Sequence, residues 1–137
     1  MNKAGAIVII DDDVDDRDIL NEIFRDLNLP NEICFFTSGQ AALSYLQLSH
    51  SNPFIIISDL HLQEFDGFHL REKISQDRVI SDKCIPLIFV TTGTTRENLR
   101  RAYQSSVQGI FYKPPQYDKW KYLIRDIYEY WQAAAML

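Results

Sequence analysis

Five short runs of consecutive apolar residues, at 6–10, 33–36, 54–57, 87–90 and 110–112, are rich in β-branched and aromatic side chains. They read as strands. Between them the pattern changes to a helical period. Ile19, Leu20, Ile23, Phe24 and Leu27 place one apolar stripe on residues 15–27. Ala42, Leu43 and Leu46 mark a second helix behind Ser38 as its N-cap, and Leu70 with Ile74 marks a third after Gly67. A fourth is expected to begin at Thr94, where Thr94 and Glu97 form a capping box, with Leu99, Ala102 and Tyr103 as its apolar face. Over residues 117–134, Trp120, Leu123, Ile124, Ile127 and Trp131 face inward, and Tyr117, Tyr122 and Tyr130 lie off that stripe. Strands alternating with helices five times, the strands almost wholly apolar, predict an α/β fold whose parallel sheet is covered on both faces.

Composition narrows the class. At 137 residues the chain is expected to form one domain over 1–137, with its core at about 6–131, and 46% hydrophobic against 24% charged residues is ordinary globular usage. A net charge of -5 would on average repel a polyanion, which argues against a nucleic-acid partner. Cys34 and Cys84 make no disulfide framework or C-x-x-C motif and are expected as buried or half-buried free thiols. No apolar run is long enough to span a bilayer, and residues 1–4 lack the features of a signal peptide. A cytoplasmic protein without a membrane partner is the expectation.

Several common chemistries lack their residues. The five glycines, at 5, 39, 67, 93 and 109, are too scattered for a phosphate-cradling loop, and His50, His61 and His69 form no H-E-x-x-H motif. No serine stands in G-x-S-x-G. What remains is acidic. Strand one runs into Asp11, Asp12 and Asp13, strand three into Ser58 and Asp59, strand four into Thr91 and Thr92, and strand five into Lys113 and Pro114. Open parallel sheets bind ligands outside the carboxyl ends of their strands, and in a 2-1-3-4-5 order the crevice lies between strands one and three. Asp11, Asp12 and Asp59 would meet there. Carboxylates so placed repel by about 4 kcal/mol per pair at about 4 Å and an effective dielectric near 20, so the site calls for a cation or a raised pKa. Mg²⁺ suits it, because this ion takes one or two protein carboxylates, keeps waters and accepts a phosphate oxygen. Lys113 and the Thr91 hydroxyl would hold further phosphoryl oxygens, and a carboxylate can itself be the nucleophile.

Each residue also has a plainer reading. The aspartates from 11 to 16 suit a cap and dipole partner of the first helix, Thr91 an ordinary strand residue, and Lys113 a solvated charge. The convergence of four strand ends on one chemistry favours the functional reading.

In order and spacing these residues resemble the receiver domain of two-component response regulators, from Ala6 to about Trp131. The acidic pair matches Asp11 and Asp12 in IVIIDDD, the phospho-acceptor Asp59 in FIIISDLHLQEFDG, the hydroxyl Thr91 in LIFVTTG, and the lysine Lys113 in GIFYKPP. The resemblance implies a stand-alone, flavodoxin-like (βα)5 receiver, strand order 2-1-3-4-5. Asp59 would take a phosphoryl group from the phosphohistidine of a histidine kinase or histidine phosphotransferase. Mg²⁺, or Mn²⁺ in its place, would be bound directly by Asp12 and Asp59, through water by Asp11, and by the His61 backbone carbonyl. Thr91, Thr92 and Lys113 would contact the phosphoryl group, a cis Lys113–Pro114 bond would aim the lysine, and His61 and Gly93 would tune dephosphorylation.

Gln63 stands where the family usually has proline, although Asp66 and Gly67 keep the following turn, and Ile110 stands where an aromatic switch residue is usual. A backbone-led shift after Thr91, with little rearrangement at Ile110, is therefore expected. No output domain is expected after the fifth helix. The signal would leave through an unidentified protein partner or a second copy of the chain, at the face of the fourth helix, fifth strand and fifth helix. A phosphorelay intermediate and a phosphate-independent scaffold are the alternatives, and a diffusible-substrate phosphatase ranks last.

Overall fold

A computed structural model of the chain describes residues 2–135; residues 1, 136 and 137 of the expected domain span lie outside the described residues. Five strands, β1 (Ile7–Ile10), β2 (Ile33–Phe36), β3 (Ile55–Asp59), β4 (Leu87–Thr91) and β5 (Gly109–Tyr112), form one sheet in the order β2-β1-β3-β4-β5. Every neighbouring pair is parallel. Among the helices are α1 (Val14–Leu27), α2 (Gly39–Leu46), α3 (Gly67–Gln76), α4 (Arg78–Ser81), α5 (Arg96–Gln104) and α6 (Tyr117–Ala133).

The strand period of two divides the core. Val8, Ile10, Ile56, Leu87 and Phe89 point to one face and pack with Ala42, Leu43, Leu70, Ile74 and Ala102 of α2, α3 and α5. Ile7, Ile9, Ile55, Ile57, Ile88 and Val90 point to the other and pack with Leu20, Ile23 and Phe24 of α1 and Trp120, Ile124 and Ile127 of α6. Both faces of β1, β3 and β4 are therefore apolar, which is why those strands lack polar alternation.

Local chemistry sets the helix ends. Asp13 caps α1 by accepting from the Asp16 N–H at 3.0 Å, and Asn28 closes it in a left-handed conformation at φ 50°. Ser38 caps α2 as expected. The turn before α3 is kept: Asp66 accepts from the His69 N–H at 3.0 Å, and the Gly67 N–H donates to Leu60 at 2.7 Å.

Several expectations are corrected. The fourth predicted helix, α5, is capped by Thr95, which accepts from the Asn98 N–H at 3.0 Å, so Thr94 makes no capping box. Starting one residue later puts Glu97 second in the helix, out of the box position. On α5 Ala102 is buried but Tyr103 is 68% exposed, and Val107 and Ile110, beyond the helix, pack against the core instead. Tyr117 is half-buried against the second core cluster, and its hydroxyl donates to Asp26, whose acceptance pushes the Tyr117 pKa up to about 12. Cys34 is half-buried as expected, while Cys84, in the α4–β4 connection at φ 52°, is exposed. The single turn α4, capped by Asp77, was not expected at all.

Candidate functional site

β1, β3, β4 and β5 end side by side, and each delivers a polar side chain to the same edge of the sheet. Register explains the convergence: Ile10 pairs with Ser58, Asp59 with Val90, and Thr91 with Tyr112, so Asp11, Asp59, Thr91 and Lys113 leave their strands within two residues of one level. The apolar strands hold these backbones rigid while their last residues turn polar.

Lys113 organises the site. Its Nζ donates to Asp16 Oδ2 at 2.6 Å, Asp11 Oδ2 at 3.0 Å and Asp59 Oδ2 at 3.1 Å. An ammonium has three N–H donors, and all three are used. The Lys113 side chain is 3% exposed and that of Asp11 2%, against 13% for Asp59 and 21% for Asp16. Asp59 and Asp16 thus border the buried Lys113–Asp11 pair on its solvent side. Burial alone would push the Lys113 pKa down, but the hydrogen bond to Asp16 and the charges of Asp11 and Asp59 outweigh it and hold the ammonium well above its ordinary value. Asp11 fares differently. Burial pushes its carboxyl up, and the Asp13 N–H at 2.9 Å together with Lys113 only partly offset this. One cation shared among three anions serves the cation fully and each anion in part.

The remaining residues frame Asp59. Asp59 Oδ1 accepts from the His61 backbone N–H at 3.1 Å, and the His61 ring reaches the Gly93 carbonyl at 3.1 Å. Thr91 is fully buried; its hydroxyl donates to the Gly93 carbonyl at 2.9 Å and accepts from the Gly93 N–H at 3.3 Å. Thr92 is exposed and, with Asp16, Lys113 and Trp120, lines an open cleft of about 470 Å³ beside the lysine. Ile110 is half-buried against the first core cluster.

Asp12 stands apart from the lysine. Its Oδ2 accepts from the Gln63 backbone N–H at 2.9 Å, a donor that a proline at 63 would lack. The changed loop therefore pins one carboxylate of the acidic pair.

No peptide bond among the described residues is cis, so the expected cis Lys113–Pro114 bond is trans. The three carboxylates aim the lysine instead.

Asp16 was missed. The carboxylate oxygens of Asp11, Asp16 and Asp59 lie within 4.8 Å of one another. In sequence Asp16 reads as one more acid in the first turn of a helix, and the only available signal was its place one helical turn beyond the cap Asp13, on the side that faces β5. Three carboxylates against one ammonium leave the site with excess negative charge in a partly dry place, and hard oxygen donors of this kind fit a divalent cation such as Mg²⁺ or Mn²⁺.

Residues 7–125 match the family described as the response regulator receiver domain. The chain is 30% identical over 129 residues to the probable methanogenesis regulatory protein FilR2 of Methanothrix harundinacea, covering 91% of this chain and 82% of that protein. Its fold superimposes on the phosphorylated cyanobacterial phytochrome response regulator RcpA with a TM-score of 0.83 at 23% identity, covering 96% of both chains. The Mn²⁺-bound form of response regulator Rcp1 gives a TM-score of 0.79 at 22% identity, covering 96% of this chain and 97% of that one. By the family match over nearly its whole length, and by the sheet order and acidic cluster that accompany it, the chain belongs to the response regulator receiver domains, signalling modules of two-component systems rather than classical enzymes.

Proposed function

We propose that the chain is a phosphorylation switch in which Asp59 accepts a phosphoryl group from the phosphohistidine of a histidine kinase or histidine phosphotransferase. The observation that carries this reading is the Lys113 Nζ held at 3.1 Å from Asp59, whose carboxylate is open to solvent where that of Asp11 is buried. Asp59 attacks phosphorus, the phosphorus–nitrogen bond breaks, its electron pair returns to the imidazole, and an acyl phosphate forms. Lys113 then turns the donor released by Asp59 toward a phosphoryl oxygen, and the Thr91 hydroxyl leaves the Gly93 carbonyl to contact another. Thr92 borders the approach.

Asp11, Asp12 and Asp59, with the His61 carbonyl, are the groups that would hold Mg²⁺ or Mn²⁺. When bound, the ion neutralises charge on the transferred group. Output would pass to a partner, or to a second copy, at the α5–β5–α6 face, where Tyr103, Tyr112, Tyr122 and Tyr130 are exposed. A cytoplasmic setting goes with a kinase donor. No helix among the described residues is long and apolar enough to cross a membrane.

The test is direct. Incubation with acetyl phosphate and Mg²⁺ should add the mass of one phosphate to the wild type and none to Asp59→Asn. Equal labelling of both, or of neither, would overturn the assignment of the acceptor.

A further inference from the structure

We propose that Asp16 is a positioning residue whose negative charge tethers Lys113 and weakens its pull on an anion at Asp59. The inference rests on Asp59 as the phosphoryl acceptor and adds a residue to that site. Three observations support it. The Asp16 carboxylate is the nearest of the three partners of the ammonium, at 2.6 Å, against 3.0 Å for Asp11 and 3.1 Å for Asp59. Its backbone is placed without the lysine, because its N–H is fixed on the α1 cap Asp13 at 3.0 Å and the residue sits in the first helical turn. It also lines the open cleft with Pro114 and Trp120, a cleft whose lining does not include Asp59, while its carboxylate stays within 4.8 Å of that of Asp59.

The consequence follows from what changes on phosphoryl transfer. Asp59 gives up its carboxylate charge when it becomes an acyl phosphate, which frees one N–H of Lys113. Asp11 and Asp16 keep the other two. The ammonium therefore stays anchored and needs only to redirect a donor, but part of its charge remains neutralised by Asp16, whose own charge also opposes an incoming dianion. Asp16 thus keeps the lysine ready and limits how firmly the phosphorylated state is held.

Beryllofluoride, which occupies an aspartate oxygen as a stand-in for the phosphoryl group, reads this without turnover. At saturating Mg²⁺, ¹⁹F NMR titration should show Asp16→Asn binding it at least twofold more tightly than the wild type, while Asp16→Glu, which keeps the charge, stays within twofold of the wild type. In ¹⁵N-lysine-labelled protein, the Lys113 ammonium signal should move in Asp16→Asn before any beryllofluoride is added. Asp13 caps α1, so neither variant removes the cap, and Asp16→Ala serves if Asp16→Asn fails to fold. Affinity unchanged or weaker in Asp16→Asn, or tightened equally by Asp16→Glu, would overturn the inference. Failure of the wild type to bind beryllofluoride would instead overturn Asp59 as the acceptor.

Discussion

The His61 imidazole Nε2 lies 3.1 Å from the Gly93 carbonyl oxygen, so the residue two after Asp59 and the residue two after Thr91 are joined across the mouth of the site. The same carbonyl accepts the Thr91 hydroxyl at 2.9 Å. One backbone oxygen thus ties the acceptor loop, the β4–α5 loop and the buried threonine together. Gly93 has no side chain with which to shield the acceptor, which leaves that task to the histidine. His61→Ala should speed hydrolysis of phosphorylated Asp59 at least threefold, about 0.65 kcal/mol in the barrier. Decay of radiolabelled phosphoprotein measures it, and an unchanged lifetime would remove the ring from the mechanism.

Asp11 makes the metal-free protein sensitive to pH. Its carboxyl is raised above 3.8 by burial, so the folded chain holds that proton more tightly than the unfolded chain does. Its contribution to stability therefore grows as pH falls through the raised value toward 3.8, and is least at neutral pH. In EDTA at pH 7, Asp11→Asn should be more stable than the wild type, with the gap closing as the pH falls toward 4. Urea unfolding at several pH values is the check; a destabilised variant at pH 7 would mean that the pairing with Lys113 outweighs the cost of burial.

Divalent cations should stabilise the fold through the same charges. A concentration tenfold above Kd adds about 1.4 kcal/mol. Asp12→Ala should lose most of that gain even though Asp12 lies outside the cluster around Lys113. Calorimetric melting with and without Mg²⁺ measures the difference, and an undiminished gain would exclude Asp12 as a ligand.

Occupying the acceptor should loosen the segment after β4. The Thr91 hydroxyl and the Gly93 carbonyl satisfy each other, and a phosphoryl oxygen that takes the hydroxyl leaves the carbonyl with His61 alone. Hydrogen exchange with beryllofluoride bound should therefore speed up over residues 92–106, with Ile110 little changed. Equal protection in both states, with Asp59 demonstrably occupied, would favour a partner that binds without regard to phosphate.

The core and the parallel sheet were legible because burial on both faces demands unbroken apolar strands, and Ile7–Ile10 and Leu87–Thr91 have no other reading, whereas the strand order came from the family resemblance. Asp11, Asp59, Thr91 and Lys113 were legible for the same reason: polar residues at the ends of such strands must gather where the strands do. Asp16 was not, since one face of an acidic first turn looks like another until β5 is placed. Arg78–Ser81 is too short to show a period. Thr94 and Thr95 offer equivalent capping hydroxyls, and only the path of the chain chooses between them.

The three partners of Lys113 lie 54, 97 and 102 residues away along the chain. During synthesis the four aspartates of the site are all made before the lysine emerges, and they cannot share a cation from within the chain until β5 has joined the edge of the sheet. Closing loops of this length is among the later events of folding. The site is therefore tied to completion of the fold: a chain cut or frayed before β5 keeps Asp11, Asp16 and Asp59 but has no Lys113 ammonium among them, so the proposed transfer to Asp59 would lack that cation.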